Sequence, residues 1–317
     1  MSIKGGLRPL LASASVIACL GSASAVPAAT IDWASVKGKD VVLFYPGQSS
    51  WEWVLTAGDH SGAPKFREGK NCHECHDGEQ QKMGETLSSG KKNEPTPIAG
   101  KPGFVTVNVK FAHDADRLYA HFEFNPGNQP DAKQDPEFDT KLTLMLNDGK
   151  VAEASRAGCW GSCHEDAIGM PAGGGKEITK YLTRSRAKMT RQGGDGIKAA
   201  DELEKIRADG GYLEFWQARL KPGAAAVAVD GTILDKREES KAPAVAAEAS
   251  ANAGAWSVTL SRKLAQGSPY KAIAAGTTYT FGLAMHAGHT AHRFHYVSFE
   301  NTLVLDQGNA DFVAVAK

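Results

Sequence analysis

Long apolar runs are scarce in this 317-residue chain. The one near the N-terminus, residues 10–20, is too short to cross a bilayer core of about 30 Å as a helix, and nothing later in the sequence approaches a membrane span. Charge of one sign is lacking too, because 36 Lys and Arg balance 36 Asp and Glu. This balance argues against a nucleic-acid surface, which needs a basic field, and against an acidic solvating tail.

The N-terminus has the features of a secretory signal peptide in their usual order. Lys4 and Arg8 form a short positive region, residues 10–20 are apolar, and Ala23-Ser24-Ala25 supplies the small residues after which signal peptidase cleaves. We therefore predict a signal peptide over residues 1–25 and export to the periplasm.

A second route of processing fits the same segment. Val16-Ile17-Ala18-Cys19 resembles a lipobox, whose cysteine is acylated after cleavage. Cys19 is then a lipid anchor. By either route, residues 26–317 remain as one large predicted domain, which is long enough to bury an ample core.

Cysteines are few, five in all. The four that follow the signal segment form two close pairs, Cys72 with Cys75 and Cys159 with Cys163. An even number of cysteines in an exported protein usually indicates disulfides. Here a histidine directly follows each pair, and that changes the interpretation.

Residues 72–76 read Cys-His-Glu-Cys-His. The C-x-x-C-H spacing is the signature of covalent haem attachment: the thiols of Cys72 and Cys75 add across the haem vinyl groups, and the adjoining His76 ligates the iron. The alternatives are a disulfide or half of a zinc site, but zinc takes about four nitrogen or sulfur ligands, and a second C-x-x-C is missing. We predict one haem c here.

The second motif is the wider form, C-x-x-x-C-H, made by Cys159, Cys163 and His164. Taken alone, it could be a disulfide that closes a tight turn at Gly161. Beside a standard motif in the same exported chain, it predicts a second covalent haem with His164 as the iron ligand.

Each haem iron then needs a sixth ligand or keeps an open position. His60 precedes the first motif by a short loop and is the first choice for the first haem, since histidine is a common metal ligand; the alternative is a solvated loop residue. Met170 follows the second motif by a few residues, and a thioether sulfur there would raise the reduction potential. The alternative for Met170 is ordinary core packing.

A tract of four histidines supplies further candidates, at positions 286, 289, 292 and 295, in a chain with ten histidines in all. His295 shares a predicted strand face with Val297 and Phe299, so its imidazole should be buried and needs a partner, which iron would provide. His292 is a second candidate ligand. The alternative is a polar loop that binds metals adventitiously.

Alternation of apolar and polar residues with period two dominates the rest of the sequence and predicts half-buried antiparallel strands. The predicted strands lie within residues 41–45, 105–111, 118–124, 142–146, 213–220, 256–260, 279–285 and 297–299. Because few helical segments separate them, we predict a mainly β protein, an antiparallel β-sandwich with haem-bearing loops and a short helical insertion.

The insertion is the one segment with helical spacing. Residues 197, 200, 203 and 206 share an apolar face, Asp195 is a predicted N-cap, and Gly210-Gly211 is a predicted stop. Three segments rich in Gly, Pro, Ala and Lys are predicted to be loops. They are residues 84–103, 169–176 and 222–254.

Several stretches resemble the c-type members of the ethylbenzene-dehydrogenase-related haem-binding domain family. They are residues 45–53, 59–63, 158–166 with Met170-Pro171, 211–217 and 295–299. The resemblance implies a β-sandwich that holds haem and a role in electron transfer. The best-known members are small subunits that hold a non-covalent haem b through Met and Lys and relay electrons for a molybdenum enzyme. This chain departs from them in its thioether motifs, so that ligand pair does not transfer.

These features together predict a periplasmic dihaem c-type cytochrome that transfers electrons between redox proteins. One alternative is an electron-relay subunit of a molybdenum oxidoreductase complex. Another is a dihaem redox enzyme such as a peroxidase, which needs one accessible iron and is typically built from two helical domains. No Ser-His-Asp order, phosphate loop or paired-carboxylate motif stands out.

Overall fold

Antiparallel β-structure dominates the part of the chain that the computed structural model describes, which comprises Met1 and residues 31–49, 51–160, 182–188 and 196–317. Residues 2–25 of the predicted signal peptide, which include Cys19, lie outside the described residues, as do Cys163, His164 and Met170. Within the described part, no helix is long and apolar enough to span a bilayer.

The described residues form thirteen strands that belong to one continuous hydrogen-bonded network. The strands are β1 (Lys39–Phe44), β2 (Phe104–His113), β3 (Arg117–Phe124), β4 (Thr140–Asn147), β5 (Leu213–Leu220), β6 (Val227–Ile233), β7 (Arg237–Glu239), β8 (Ala246–Asn252), β9 (Ala255–Lys263), β10 (Tyr279–Ala287), β11 (Tyr296–Val297), β12 (Asn301–Leu305) and β13 (Phe312–Ala316).

The network folds over into two layers. One layer has the order β7-β6-β5-β4-β10, and the other has the order β2-β3-β9-β8. Short strands join them along one edge, because β11 and β1 connect β10 to β2, and β12 and β13 make a second connection between the same two strands. Most pairs are antiparallel, and the pairs of β13 with β12 and with β2 are parallel.

The main apolar core lies between these two layers. Alternate side chains point inward from each strand, as a period of two requires. They include Val105, Val107, Val109 and Phe111 of β2, Leu118, Ala120 and Phe122 of β3, Leu142, Leu144 and Leu146 of β4, and Phe281, Leu283 and Met285 of β10. Three aromatic rings, Phe111, Phe281 and Phe312, pack edge to face with centroids 5.1–5.7 Å apart. The predicted antiparallel sandwich is confirmed.

A second apolar cluster covers the outer face of the β5-β4-β10 layer. Met145, Phe215 and Ala284 point outward there, each one position away from a residue that points into the main core. Short helices pack over this face, together with Cys72 of the first cysteine motif and Cys159 and Trp160 of the second. The helices are α1 (Trp51–Val54), α2 (Ala63–Arg67), α3 (His73–His76), α4 (Gln80–Ser88), which also packs on β1 and β2, and α5 (Ala152–Ala157). The predicted site residues described below therefore lie over the outer face of the β5-β4-β10 layer.

The predicted helical insertion is present as α6 (Ala200–Ala208), with Gly210 in the left-handed region at φ +74° just after it. The predicted start was wrong: Ala199 is the N-cap, and Ile197 pairs with Arg186 in an isolated β-bridge. Asp195 lies outside the described residues. Ile197 continues the apolar spacing of the helix although it is exposed and belongs to a bridge, so spacing alone misplaces the boundary.

Two of the predicted loops contain regular structure. Residues 84–88 belong to α4, and β6, β7 and β8 occupy much of residues 222–254. The burial pattern explains the miss, since β8 is an outer strand whose side chains are mostly exposed Ala, Ser and Asn. Such a strand forms by pairing with β9 and has little apolar alternation of its own. The predicted loop at 169–176 lies outside the described residues.

A buried lysine makes the stability of the fold depend on pH. Lys101 is 6% exposed, and its ammonium lies 4.2 Å from the centroid of the Tyr296 ring. Burial lowers the pKa of Lys101 to about 7, so between that value and the ordinary lysine pKa the unfolded chain binds more protons than the folded one. Stability therefore rises with pH across this window.

We expect the free energy of unfolding to increase by about 1–3 kcal/mol between pH 7 and pH 10. The full lowering of the Lys101 pKa would imply a larger increase, but the cation–π contact with Tyr296 stabilises the charged lysine in the folded state and so reduces it. The Lys101→Met variant should lack this increase. Urea unfolding of the wild type and of Lys101→Met at several pH values measures this increase. If the free energy of unfolding changed equally with pH in both proteins, Lys101 would be charged in the folded state.

Candidate functional site

The first attachment motif lies on one short helix. Cys72 is the N-cap of α3, and Cys75 and His76 lie in its single turn. The backbone amide of His76 donates to the carbonyl of Cys72 at 2.9 Å. Positions three and four apart share one face of a helix, so the two sulfurs and the imidazole are presented together. Cys72 is buried and Cys75 is exposed.

His60 faces His76 across the cavity above this helix. The centroids of the two rings are 6.0 Å apart, and the ring planes are inclined by 39°. Imidazole nitrogens bind metal ions at about 2 Å, so two imidazoles on opposite sides of one ion have centroids about 6 Å apart. The structure thus brings the predicted proximal and sixth ligands of the first haem to the separation that one iron requires.

The hydrogen bonds of these two histidines leave the same nitrogen for a metal. His60 Nδ1 lies 3.0 Å from the carbonyl oxygen of Val54. His76 Nδ1 lies 2.8 Å from a carboxylate oxygen of Glu79. Both partners are acceptors, so each Nδ1 carries the proton and each Nε2 presents its lone pair. Metal-ligating histidines are typically held in this way.

The cavity between the two rings is suited to a flat apolar group. It has a volume of about 370 Å³, which is within the range of cofactor pockets. Its walls are largely apolar. They include Phe44, Trp53, Val54, Phe66, Met83, Leu87, Trp160 and Phe299. Both Cys72 and Cys75 open into it, so thioether bonds from these sulfurs would hold a haem inside.

Burial is the main influence on the protonation of His60 and Cys72. Burial lowers the pKa of His60, and the nearby His76 lowers it further, so His60 is a neutral imidazole at pH 7. Burial, followed by the nearby carboxylate of Glu300, raises the pKa of Cys72 well above its usual value. A thiol in that environment is not poised to act as a free thiolate nucleophile.

His73, which lies between the two cysteines of the motif, does not line the first cavity. Its Nδ1 lies 3.4 Å from a carboxylate oxygen of the buried Glu300, and its ring meets the edge of Phe299 with centroids 5.5 Å apart. Burial alone lowers the pKa of His73, but the hydrogen bond and charge of Glu300 outweigh it and raise the pKa. His73 therefore stabilises the loop that holds the motif.

The zinc alternative has no support in the described part of the chain. Among those residues, no three His, Cys, Asp or Glu side chains converge as a bound metal ion would require. Two imidazoles beside two cysteine sulfurs on a helical turn match haem attachment instead.

The second attachment motif begins directly on the outer face of β10. A side chain at Gly282 would collide with the backbone of Cys159, because its Cβ would lie 2.2 Å from the Cys159 nitrogen. Gly158 adopts φ +57°, and a side chain there would collide with the carbonyl of Phe299 at 2.5 Å. The absence of a side chain at these two glycines lets the backbone around Cys159 contact β10 and Phe299 closely.

Cys159 opens into a second cavity, also of about 370 Å³. Three members of the histidine tract line this cavity together with it: His286, His292 and His295. The structure therefore places the two predicted candidates, His292 and His295, beside Cys159, the described cysteine of the second motif. Its remaining predicted members, Cys163, His164 and Met170, lie outside the described residues.

The carbonyl of His292 organises this tract. His295 Nδ1 lies 2.7 Å from it, and His286 Nε2 lies 3.0 Å from it. His292 itself has φ +53° and is exposed. Since a carbonyl only accepts, His295 carries its proton on Nδ1 and directs Nε2 elsewhere, as a metal ligand would. His295 is buried, as predicted.

Sequence reasoning missed several residues that line the cavities. His286 neighbours His295 with ring centroids 4.9 Å apart, and burial followed by His295 lowers its pKa well below the usual value. Arg219 and Arg237 bring positive charge to the second cavity. His286 was visible in the sequence as the first member of the histidine tract, but the arginines had no signal because they lie on β5 and β7, strands far along the chain from the cysteine motifs.

Comparison with known proteins identifies the class. No protein-family model matches the chain. The chain is 36% identical over 303 residues to cytochrome c-552 of Stutzerimonas stutzeri, with 94% of this chain and 96% of that protein covered. It belongs to the c-type cytochromes. It is also 29% identical over 270 residues to cytochrome c-551 of Rhodocyclus tenuis, with 84% of this chain and 91% of that protein covered.

Membership of the c-type cytochromes agrees with the first site. The C-x-x-C-H motif of this cytochrome lies on a helical turn that opens into an apolar cavity, which is the arrangement that a covalently bound haem requires. The resemblance to the ethylbenzene-dehydrogenase-related family stays a prediction. So do the second haem and the identity of the sixth ligands.

Proposed function

We propose that this cytochrome is a periplasmic dihaem electron carrier. The observation that supports the proposal best is the pair of cavities. Each has a volume of about 370 Å³, each adjoins one cysteine motif, and each is lined by at least one histidine from outside that motif. The predicted signal peptide supports export to the periplasm.

In the first site, the chain supplies both thioether sulfurs and both iron ligands. Cys72 and Cys75 would hold the porphyrin, His76 would bind iron on one side, and His60 would bind it on the other. The carbonyl of Val54 and the carboxylate of Glu79 orient the two imidazoles. The bound haem supplies reversible one-electron redox chemistry.

In the second site, Cys159 begins the thioether pair that Cys163 would complete, with His164 as the proximal ligand. His295 is our choice for the sixth ligand, because its Nδ1 is bonded to a carbonyl and its ring lines the cavity. His292 contributes its carbonyl, which orients His295, and Met170 is the alternative sixth ligand.

Two filled coordination shells favour a carrier over an enzyme. Iron held by a histidine of this chain on each side would have no vacant position for peroxide or a gas, and the haem would then supply one-electron transfer alone. The sandwich fold also differs from the two helical domains expected of a dihaem peroxidase. Its partners would be redox proteins of the periplasm, and a molybdenum oxidoreductase is the alternative that the family resemblance suggests.

The number of haems tests the proposal. Protein matured in a host with c-type assembly machinery should retain two covalent haems per chain after denaturation, as measured by intact mass. Because each motif attaches its own haem, the Cys159→Ser/Cys163→Ser variant and the Cys72→Ser/Cys75→Ser variant should each retain one.

The two variants are matched controls for each other. Their optical spectra should add up to that of the wild type, since each reports one haem. A wild-type mass with a single haem would contradict the dihaem proposal, and recovery of the protein from the cytoplasmic fraction would contradict its location.

A further inference from the structure

Acidic side chains line the first cavity beside the two predicted iron ligands. Asp59 directly precedes His60, and Glu79 Oε2 lies 2.8 Å from His76 Nδ1. Among the described residues that line the cavity, these two are the only acidic ones. A haem brings two carboxylates of its own, the propionates, and like charges repel one another. The propionates therefore require a part of the cavity that offers hydrogen-bond donors and a cation instead.

Helix α4 leads from the iron ligands to such a part of the cavity. Residues 82, 83, 86 and 87 of the helix all line the cavity, because this spacing places them on one face. The helix rises about 12 Å from its N-cap Glu79 to Leu87. Met83 packs against the outer apolar cluster that contains Cys72, whereas Leu87 belongs to the main core. The far end of α4 therefore lies away from the cysteine motif.

Three polar residues line the cavity at this far end: Ser49, Lys92 and Asn93. Leu87 and Asn93 both lie against Gly47, where a Cβ would be 3.5 Å from Leu87 Cδ2 and 2.7 Å from the carbonyl oxygen of Asn93. The side-chain amide of Asn93 donates to Ser49 Oγ at 3.2 Å. The three residues thus form one polar cluster beside the end of α4.

The loop that carries Lys92 is held in place by its neighbours. Asn93 adopts φ +48°, and its carbonyl accepts from the amide of Gln48 at 2.6 Å. The next residue, Glu94, is buried, and the guanidinium of Arg293 lies 2.7 Å from its carboxylate. Lys92 itself is exposed, and within the described part of the chain no carboxylate forms an ion pair with it. Its ammonium is therefore available at the mouth of the cavity.

The cluster offers donors to a carboxylate that enters the cavity. Ser49 is 4% exposed, and because its Oγ accepts from Asn93 its own hydrogen is available to another acceptor. The nearby Thr86 differs, since its hydroxyl donates to the carbonyl of Lys82 at 2.8 Å. A hydroxyl, an amide and an ammonium are good partners for a carboxylate, and hydrogen bonds to a charged group are the stronger ones.

We propose that Ser49, Lys92 and Asn93 bind the propionates of the haem at the first motif. The propionates leave the half of the porphyrin opposite the vinyl positions that Cys72 and Cys75 take, which agrees with a cluster at the far end of α4. The inference rests on the first haem of the proposed function and needs no second haem. The charge of Lys92 also raises the reduction potential of this haem, because a nearby cation disfavours the more positive ferric state.

The test compares Lys92→Gln with Lys91→Gln in the full holoprotein. Lys91 is a matched control, since it is the exposed neighbour with the same charge and does not line the cavity. Resonance Raman difference spectra against the wild type record the propionate bending modes, whose frequency rises with hydrogen bonding. We expect Lys92→Gln to lower this frequency and Lys91→Gln to leave it unchanged. At a fixed ambient potential, Lys92→Gln should also shift the first haem several-fold toward the ferric form, and less at high salt.

Two further variants remove hydrogen bonds without changing charge. Ser49→Ala deletes the hydroxyl, and Asn93→Gly deletes the amide while glycine keeps the left-handed backbone. Each should lower the propionate frequency, whereas Lys92→Arg should keep it close to that of the wild type. Wild-type propionate frequencies in Lys92→Gln, Ser49→Ala and Asn93→Gly would overturn the inference and leave the haem in place.

The haem count separates this inference from the proposed function. A Cys72→Ser/Cys75→Ser protein with as many covalent haems as the wild type would contradict the first haem itself. If Ser49→Ala or Asn93→Gly does not accumulate, Lys92→Gln decides the question, because its exposed side chain can be replaced without disturbing the core.

Discussion

Replacing His60 with alanine should convert the first haem from six-coordinate and low-spin to five-coordinate and high-spin, while both thioether bonds stay intact. The two imidazoles of this site face each other at 6.0 Å between centroids, and His60 holds its proton on Nδ1 through the carbonyl of Val54. The substitution removes one hydrogen bond, from the His60 ring to the Val54 carbonyl, so it should open the iron without unfolding the site.

The measurement is the optical and EPR spectrum of the variant, followed by carbon monoxide binding to the reduced protein. The wild type should bind the gas slowly or not at all, and His60→Ala should bind one equivalent per chain. His60→Met should return the haem to a six-coordinate state at a higher potential, because a thioether ligand stabilises ferrous iron relative to imidazole.

His113→Ala is the matched control, since His113 is bonded to Asp306 at one end of the sandwich and lines neither cavity. Its spectra should equal those of the wild type. A His60→Ala protein that stays entirely low-spin would show that another residue ligates this iron, and Met83, which also lines the cavity, would be the next candidate. Rapid carbon monoxide binding by the wild type would favour an enzyme or sensor.

Breaking the buried ion pair of Glu214 and Arg262 should lower the free energy of unfolding more than any other substitution proposed for this protein. Glu214 lies on β5 and Arg262 on β9, so the pair joins the two layers through the interior. Both side chains are fully buried, and the closest guanidinium nitrogen is 2.6 Å from Glu214 Oε1. The backbone amide of Lys271 donates to Glu214 Oε2 at 2.6 Å, and the Trp216 indole donates to Oε1.

Glu214→Ala leaves a buried guanidinium without its counter-charge, since the methyl group of alanine offers no acceptor. Removing one partner of a buried pair typically costs about 3–5 kcal/mol, which corresponds to a fall in Tm of about 10 °C for a domain of this size. Thermal unfolding followed by far-ultraviolet circular dichroism measures the change.

The double variant Glu214→Leu/Arg262→Met distinguishes two causes of destabilisation: the loss of the attraction between the two charges, and the burial of one charge without a partner. It removes both charges and restores apolar volume, so it should be more stable than Glu214→Ala. A Glu214→Ala protein within about 1 kcal/mol of the wild type would show that water or another group compensates Arg262.

Much of this cytochrome was readable from the sequence, because the relevant signals are local. Alternation with period two predicted the principal strands, since each buried strand has one apolar face. The spacing of Cys72, Cys75 and His76 predicted haem attachment, because one helical turn brings those residues to the same side. The burial of His295 followed from its position on the apolar face of a strand that contains Val297.

Other features could not be predicted, because they depend on contacts between distant parts of the chain. The strands β6 to β8 have little alternation of their own and form by pairing with neighbours, so residues 222–254 read as a loop. Residues 84–88 were also predicted to be a loop because of the composition of the segment, although they belong to α4. Each of these elements is stabilised by what it packs against.

The sequence by itself determined the class of cofactor, a covalent haem c, and the candidate residues for holding it: two cysteine pairs, their adjoining histidines and a set of possible sixth ligands. Only the tertiary structure decided which of these meet. Folding of the sheet places the histidine tract beside Cys159, brings His60 opposite His76, and sets Trp160 in the wall of the first cavity. The physical reason is that ligand spacing within a turn is local, whereas the approach of two segments is decided by the burial of the surfaces between them.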